Sequence, residues 1–437
     1  MDDSNVGSEP LPKRRWADRR KQHSYSAVTH PTRLFHQTSS EQDADEEFPP
    51  IPSFLKTIYS CERPTPLNPV NEGFIIQLKK IRKARELTDD GVGVRAYSSA
   101  IAVLSAYPYT LTSPQEVFRL PGCNQKIAAI YKEWKENKSI REVEDIDSDP
   151  KMQILSMFYD IYGVGPIKAR DFYNKGWKDL DDVVVHGWSA LTLAQQIGLK
   201  YYDDFQSKIP RAEVERISNK IHEYANNLHA GFQMCIVGGY RRGKEESGDV
   251  DVILSHQDES VTLGFVQEIV VALGSDGWIK HTLEISLANS RRNQTPVSWK
   301  GNTGAKMCGF DTLDKALVVW QDQRWPTKSE DFKNDQNAKN PAVLRRVDII
   351  ITPWKTAGCA VVGWSGGTTF QRDLRRYANK VRNLKFDSSG VRSRLNGLWV
   401  DLESEDGKRA PNLLIAEKRV FAGLGLEWRE PWERCTG

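Results

Sequence analysis

Apolar positions first recur with a helical period near residue 70. Phe74, Ile75, Leu78 and Ile81 form one stripe beside Lys79, Lys80, Lys83 and Arg85, which predicts an amphipathic helix with a basic face. A second helix is expected over Arg95 to Ala106, with Tyr97, Ile101 and Leu104 on one side. Pro114 opens a short helical stretch, and Leu120-Pro121-Gly122 punctuates the chain before another over Lys126 to Lys135. Helices continue to about residue 232, joined by Tyr162-Gly163-Val164-Gly165-Pro166 and by Ile209-Pro210-Arg211. The apolar period then switches from about 3.6 to about 2, giving strands at Met234–Val237, Val250–Leu254 and Val347–Ile351. Stretches 284–310 and 321–341 have loop composition. The chain closes on Gly-rich turns, a basic helix and a last helix from Leu413 to Gly423.

Helical segments followed by strands define an α+β, multidomain chain. Residues 68–150 read as a small helical domain, 151–232 as a second helical subdomain, 233–353 as a β-sheet domain and 354–437 as an α/β C-terminal subdomain. Residues 1–67 differ: rich in Pro, Ser and charge, they offer too little apolar surface to offset ordering entropy and are expected to be a disordered tail. Their basic clusters, Lys13–Arg15 and Arg19–Lys21, fit a nuclear import signal as well as a solvated charged tail, and a nuclear location is expected.

Composition narrows the classes without choosing one. The chain has 437 residues, 39% of them hydrophobic, and 61 basic against 58 acidic residues leave a net charge of +3. No run of about 18 apolar residues occurs, so neither a membrane-spanning helix nor a membrane partner is expected. The N-terminus lacks the apolar segment of a secretory signal. Six cysteines, at 61, 123, 235, 308, 359 and 435, show no metal-binding spacing, which argues for a reducing compartment and against structural zinc.

The chemistry concentrates in Gly248-Asp249-Val250-Asp251-Val252-Ile253-Leu254. Alternation in a strand puts Asp249 and Asp251 on one face and Val250 and Val252 in the core. Two carboxylates so close repel each other, and become favourable around divalent cations. Asp348 interrupts another apolar strand, Val347 to Ile351, with Arg346 on its face; pairing of the two strands would make a hard-oxygen site for Mg²⁺. Taken alone, an Asp-x-Asp pair is also a common feature of exposed strands. Upstream, however, the strand ending at Val237 runs into Gly238-Gly239-Tyr240-Arg241-Arg242-Gly243-Lys244. Glycines let the backbone approach an anion, and arginine offers fork-shaped donors to phosphate. A strand, paired glycines, paired arginines and Asp-x-Asp in one window describe a site for a triphosphate and two metals, and hence nucleotidyl transfer.

These motifs, followed in order by Arg345-Arg346-Val347-Asp348, Gly363-Trp364-Ser365-Gly366-Gly367 and Phe370-Gln371-Arg372, resemble the X family of DNA polymerases over about residues 70 to 437. Gly-Gly at 238–239 and Gly-Trp at 363–364 resemble its polymerase mu, terminal transferase and fungal polymerase IV branch. The resemblance implies a helical 8 kDa-type domain, a helix-hairpin-helix subdomain, a nucleotidyltransferase palm and a nucleotide-selection subdomain. It implies Asp249, Asp251 and Asp348 as catalytic metal ligands for two Mg²⁺ ions, with Mn²⁺ as an alternative. Gly238, Gly239, Arg242, Gly248, Gly363, Trp364 and Gln371 would bind the incoming nucleotide. Tyr162 to Arg170 resembles a helix-hairpin-helix whose Gly163, Gly165 and Lys168 would meet DNA phosphate, with Na⁺ or K⁺ there. Leu120 to Asn124 looks like a degraded second copy, with Asn124 where a glycine is usual.

Arg346, Arg372, Arg375 and Arg376 are further expected DNA contacts. The last three share a helical face with Lys380, which could equally be a solvated surface. The family reading implies a monomer that uses DNA gaps or broken ends and dNTPs, with Ku and DNA ligase as end-joining partners. The usual N-terminal BRCT domain is not recognisable in the preceding 67 residues. A template-independent terminal transferase and an inert DNA-end-binding scaffold are the alternatives. Three further expectations follow. Gly363 removes bulk near the sugar 2′ position, so ribonucleotides should be accepted. The 284–310 loop is long enough to support or replace a template strand. Finally, Ile130 stands where lyase-competent members carry a Schiff-base lysine, so lyase activity is expected to be lost.

Overall fold

The computed structural model describes residues 48–297 and 311–437. Helix α1 (Glu72–Leu87) and α2 (Gly91–Ala106) form a hairpin, with Asp90 capping α2 by accepting from Gly93 N–H. With the short helix Pro114–Phe118 and α3 (Gln125–Asn137) they enclose a core of Phe74, Ile75, Leu78, Tyr97, Ile101, Leu104 and Tyr131. Asn124 is the N-cap of α3 and accepts from Ile127 N–H at 3.1 Å, so its side chain serves the helix end.

The helix-hairpin-helix follows, with Gly163 at φ +79° in the turn before α4 (Pro166–Asn174). It packs on Phe158, Ile161, Val164, Phe172 and Leu199. Helix α5 (Arg211–Leu228) leads into a five-stranded sheet of β1 (Gln233–Ile236), β2 (Val250–His256), β3 (Ile279–Leu287), β4 (Asp314–Trp320) and β5 (Arg345–Pro353). Its spatial order is β1-β2-β5-β4-β3, with β2 and β5 parallel and the other neighbours antiparallel.

Alternation sends Val250, Val252, Val347 and Ile349 to one face, where they meet Ile217 and Ile221 of α5 and Phe265 and Ile269 of α6 (Phe265–Ser275). The opposite face carries Ile253 and Ile350 beneath α7 (Ala357–Ser365). Beyond α7 lie the basic helix α8 (Thr368–Lys380), a three-stranded sheet of β6 (Leu384–Asp387), β7 (Gly390–Ser393) and β8 (Trp399–Val400), and α9 (Leu413–Gly423).

Three expectations change. The tail does not extend to residue 67. Leu55 is buried in the first helical core, and Cys61 is buried among Phe370, Leu374 and Tyr377 of α8. Ser60 N–H donates to Asp373 at 3.1 Å, Thr65 N–H to the Glu433 carbonyl at 2.7 Å, and Cys435 N–H to the Thr65 carbonyl at 3.1 Å. A polar segment can order when another part of the chain supplies the apolar surface. Residues 1–47 lie outside the described residues.

The 284–310 stretch is not a loop from its start, because β3 runs to Leu287 and Asn289 and Gln294 are buried. The Asp314 carboxylate accepts the N–H groups of Asn289 and Ser290 at 2.8 and 3.0 Å, which fixes the turn. Residues 298–310 lie outside the described residues. The 321–341 segment contains a short helix, Lys328–Asn334.

Candidate active site

Strand pairing brings the carboxylates together. In the parallel register of β2 and β5, Asp251 is the direct partner of Asp348. Both lie on the face that α7 covers further along the strands, just beyond its cover. Asp249 precedes β2, and its carboxylate is engaged by Arg346 at 3.3 Å; the same guanidinium donates to the Gly248 carbonyl at 3.1 Å. Among the described residues no three acidic, His or Cys side chains converge to metal-holding distance. The charge pattern nonetheless suits a divalent cation. Burial raises the Asp251 carboxyl well above its usual range, and Asp249 and Asp348 raise it further. Burial, with the charge of Asp249, pushes Asp348 up to about 7. Hard oxygens held with excess negative charge are the donor set that Mg²⁺ takes.

Gly238 is required by geometry. Its φ is +61°, and a Cβ there would lie 1.8 Å from an Asp251 carboxylate oxygen. The two arginines after it have opposite duties. Arg241 turns inward, forming two hydrogen bonds with Glu417 at 2.8 and 2.6 Å and one with Ser365 Oγ at 2.6 Å. Glu417, fully buried on α9, also accepts from Arg434 at 2.6 Å. Arg242 instead lines a cavity of about 520 Å³ and donates to the Ser365 and Gly366 carbonyls at 3.3 and 3.4 Å. Lys79 of α1 and Lys244 share that cavity. Their approach was invisible in the sequence, although Lys79 stood in the basic stripe of α1.

Gly363 and Trp364 lie on α7 and Gln371 on α8. Gln371 Nε2 donates to the Val362 carbonyl. Its Oε1 and the Trp364 indole N–H are both buried without a hydrogen-bond partner among the described residues. The two atoms lie on neighbouring helices and are free to meet a ligand's polar groups.

The expected DNA contacts divide. Gly163, Gly165 and Arg346 line one cavity of about 650 Å³ with Gly248, so the hairpin borders the catalytic strands. Lys168 is held internally, with Nζ 2.6 Å from Gln195 Oε1, while Gln195 Nε2 donates to the Gly163 carbonyl at 2.6 Å. Lys168 therefore stiffens the hairpin through Gln195. Arg372 and Arg376 both pair with buried Asp373, at 3.4 and 3.1 Å, which reduces the positive charge of that face. Arg375 lies on the same helix, half-buried, and its pKa is lowered by burial and by Arg372.

A parallel pair of strands bearing facing aspartates, with a glycine-arginine turn beside them, fits the class of nucleotidyltransferases. Four family models cover the chain in order: a helix-hairpin-helix domain at 69–140, the fingers domain of DNA polymerase lambda at 156–206, the DNA polymerase beta palm at 208–354 and the DNA polymerase beta thumb at 360–435. The "DNA polymerase type-X family protein pol4" of Schizosaccharomyces pombe is 31% identical over 381 residues, which is 87% of this chain and 67% of that protein. Human DNA nucleotidylexotransferase is 26% identical over 88% of this chain and 72% of its own length. Human DNA-directed DNA/RNA polymerase mu is 26% identical over 86% and 71%. The chain belongs to the X family of DNA polymerases and is a DNA polymerase that depends on divalent metal.

Ile130, where the lyase lysine was sought, is buried in the first helical core. Nearby Lys126 lies over Tyr97 and Lys132 is exposed beside Glu136. Without an amine at 130 no imine forms there. Borohydride treatment with an abasic substrate should trap no covalent adduct; a trapped adduct would locate an amine elsewhere.

Proposed function

We propose that this polymerase adds deoxyribonucleotides and ribonucleotides to primer 3′-hydroxyls at gaps and double-strand break ends, as a nuclear monomer working with Ku and DNA ligase. The observation that carries the chemistry is the register of Asp251 with Asp348. Asp249, Asp251 and Asp348 would hold two Mg²⁺ ions, or Mn²⁺, which when bound neutralise the triphosphate and lower the pKa of the attacking hydroxyl. Asp348 takes the proton of the primer hydroxyl as its oxygen bonds to the α-phosphorus and pyrophosphate leaves. Arg242, with the backbone at Gly238, Gly239 and Gly248, holds the departing phosphates. Trp364 and Gln371 would receive the sugar and base, a role supported by their unpartnered polar atoms. The hairpin at Gly163 and Gly165 would hold primer phosphate, with a Na⁺ or K⁺ ion bound there, and the arginines of α8 would meet the DNA backbone.

Primer extension on one-nucleotide-gapped, blunt and single-stranded DNA, with both sugar types, tests the reading. Exclusive extension of single strands would favour the terminal-transferase alternative, which the nucleotidylexotransferase relatives support. Absence of any extension would leave an end-binding scaffold. Gly363→Tyr should lower ribonucleotide use relative to deoxyribonucleotide by about tenfold or more, through crowding at the 2′ position. Equal discrimination in both proteins would remove Gly363 from sugar selection.

A further inference from the structure

A second basic concavity lies on the catalytic edge of the sheet, two strands beyond Asp348. It measures about 600 Å³, between the start of β3, the segment after β4, and Lys200-Tyr201 of the helix-hairpin-helix unit. Lys200, Lys280, Lys328 and Lys339 line it, and no aspartate or glutamate does. Of the acidic residues in the same segment, Asp331 accepts from the Trp325 indole N–H at 2.6 Å and Asp322 pairs with Arg324.

Its other walls are aromatic. Trp325 and Phe332 are in ring contact at 5.3 Å, and Phe332 is 40% exposed. Opposite them, the Tyr201 ring contacts His281 at 5.5 Å, with Lys200 Nζ 5.0 Å from its centroid. A run of rings joins this groove to the hairpin cavity, since Tyr162 meets Phe205 at 6.1 Å and Phe205 meets Tyr201 at 6.3 Å.

We propose that this groove binds a single-stranded polynucleotide, through lysine contacts to successive phosphates and stacking of unpaired bases on its rings. Spread point charges suit a strand better than one compact triphosphate, and the exposed Phe332 ring beside the partly exposed Trp325 rewards unpaired bases that a duplex keeps stacked. None of the groove residues belongs to the candidate catalytic set, so the assignment is separable from catalysis.

Anisotropy of a labelled 20-nucleotide oligothymidylate and of a fully paired duplex, with the full chain, tests it. Lys280→Glu/Lys328→Glu/Lys339→Glu should weaken oligothymidylate binding at least about tenfold and flatten the salt slope by about 2, at roughly 0.7 per lost phosphate contact. Trp325→Ala should weaken it by about tenfold. Duplex affinity and the rate of filling a short one-nucleotide gap should stay within about twofold. Equal losses for duplex and single strand, or no loss at all, would overturn the proposal.

Discussion

Asp348→Ala will abolish templated extension, lowering the single-turnover rate on gapped DNA by roughly a thousandfold, or about 4 kcal/mol of barrier. The side chain sits in register with Asp251 on the adjacent parallel strand, where neither Asp249 nor Asp251 can replace both its charge and its direction. Stability should move the other way. Burial and neighbouring carboxylates disfavour ionisation of Asp348 and Asp251 alike. Asp348→Asn keeps the shape and removes one repelling charge, so in metal-free buffer it should melt at or above the wild-type temperature. Loss of activity with retained or increased stability distinguishes a working carboxylate from a structural one. Full extension by either variant would refute the role proposed for Asp348.

Glu417→Ala should be among the most destabilising single changes in the chain, costing about 3–5 kcal/mol. It removes the shared acceptor of two guanidiniums, Arg241 and the fully buried Arg434, and leaves them without a hydrogen-bonded carboxylate. Arg434 also lies over Phe421 and Trp428, at 4.6 and 4.7 Å, so its displacement would loosen the core that backs α8 and α9. Activity should fall with stability, because Arg241 is bonded directly to Arg242. Urea unfolding followed by tryptophan fluorescence checks this. An unchanged midpoint would show that water or another carboxylate replaces Glu417, and Glu417→Gln, keeping the acceptor oxygen, should fall between the two.

What could be read in advance was local. Val250 and Val252 alternating with Asp249 and Asp251 announce both a strand and the face its carboxylates take, and Leu413 to Gly423 is helical within the bounds its pattern suggests. Long-range partners were not legible. Asn289 and Ser290 look like loop residues because their amides need an acceptor, and that acceptor, Asp314, lies in the next strand. Ser60 looks solvent-bound until Asp373 of α8 is placed beside it. Arg241 and Arg242 are chemically identical in sequence. Only the position of Glu417 decides which one turns inward. Nor is it legible from spacing alone that Asp373 of α8 pairs with two of that helix's arginines.

The hydrogen bonds of Thr65 to Glu433 and Cys435 have a mechanical meaning. They convert a linear chain into a closed linkage that runs from the first helical unit through the sheet to the last helix and back. In a closed linkage no single joint turns alone. Any displacement of α7 and α8 would be transmitted to the N-terminal segment through the clasp at Thr65 and the Ser60–Asp373 bond. Under the proposed function, nucleotide capture at α7 and α8 and DNA binding by the N-terminal helices would be coupled through that clasp.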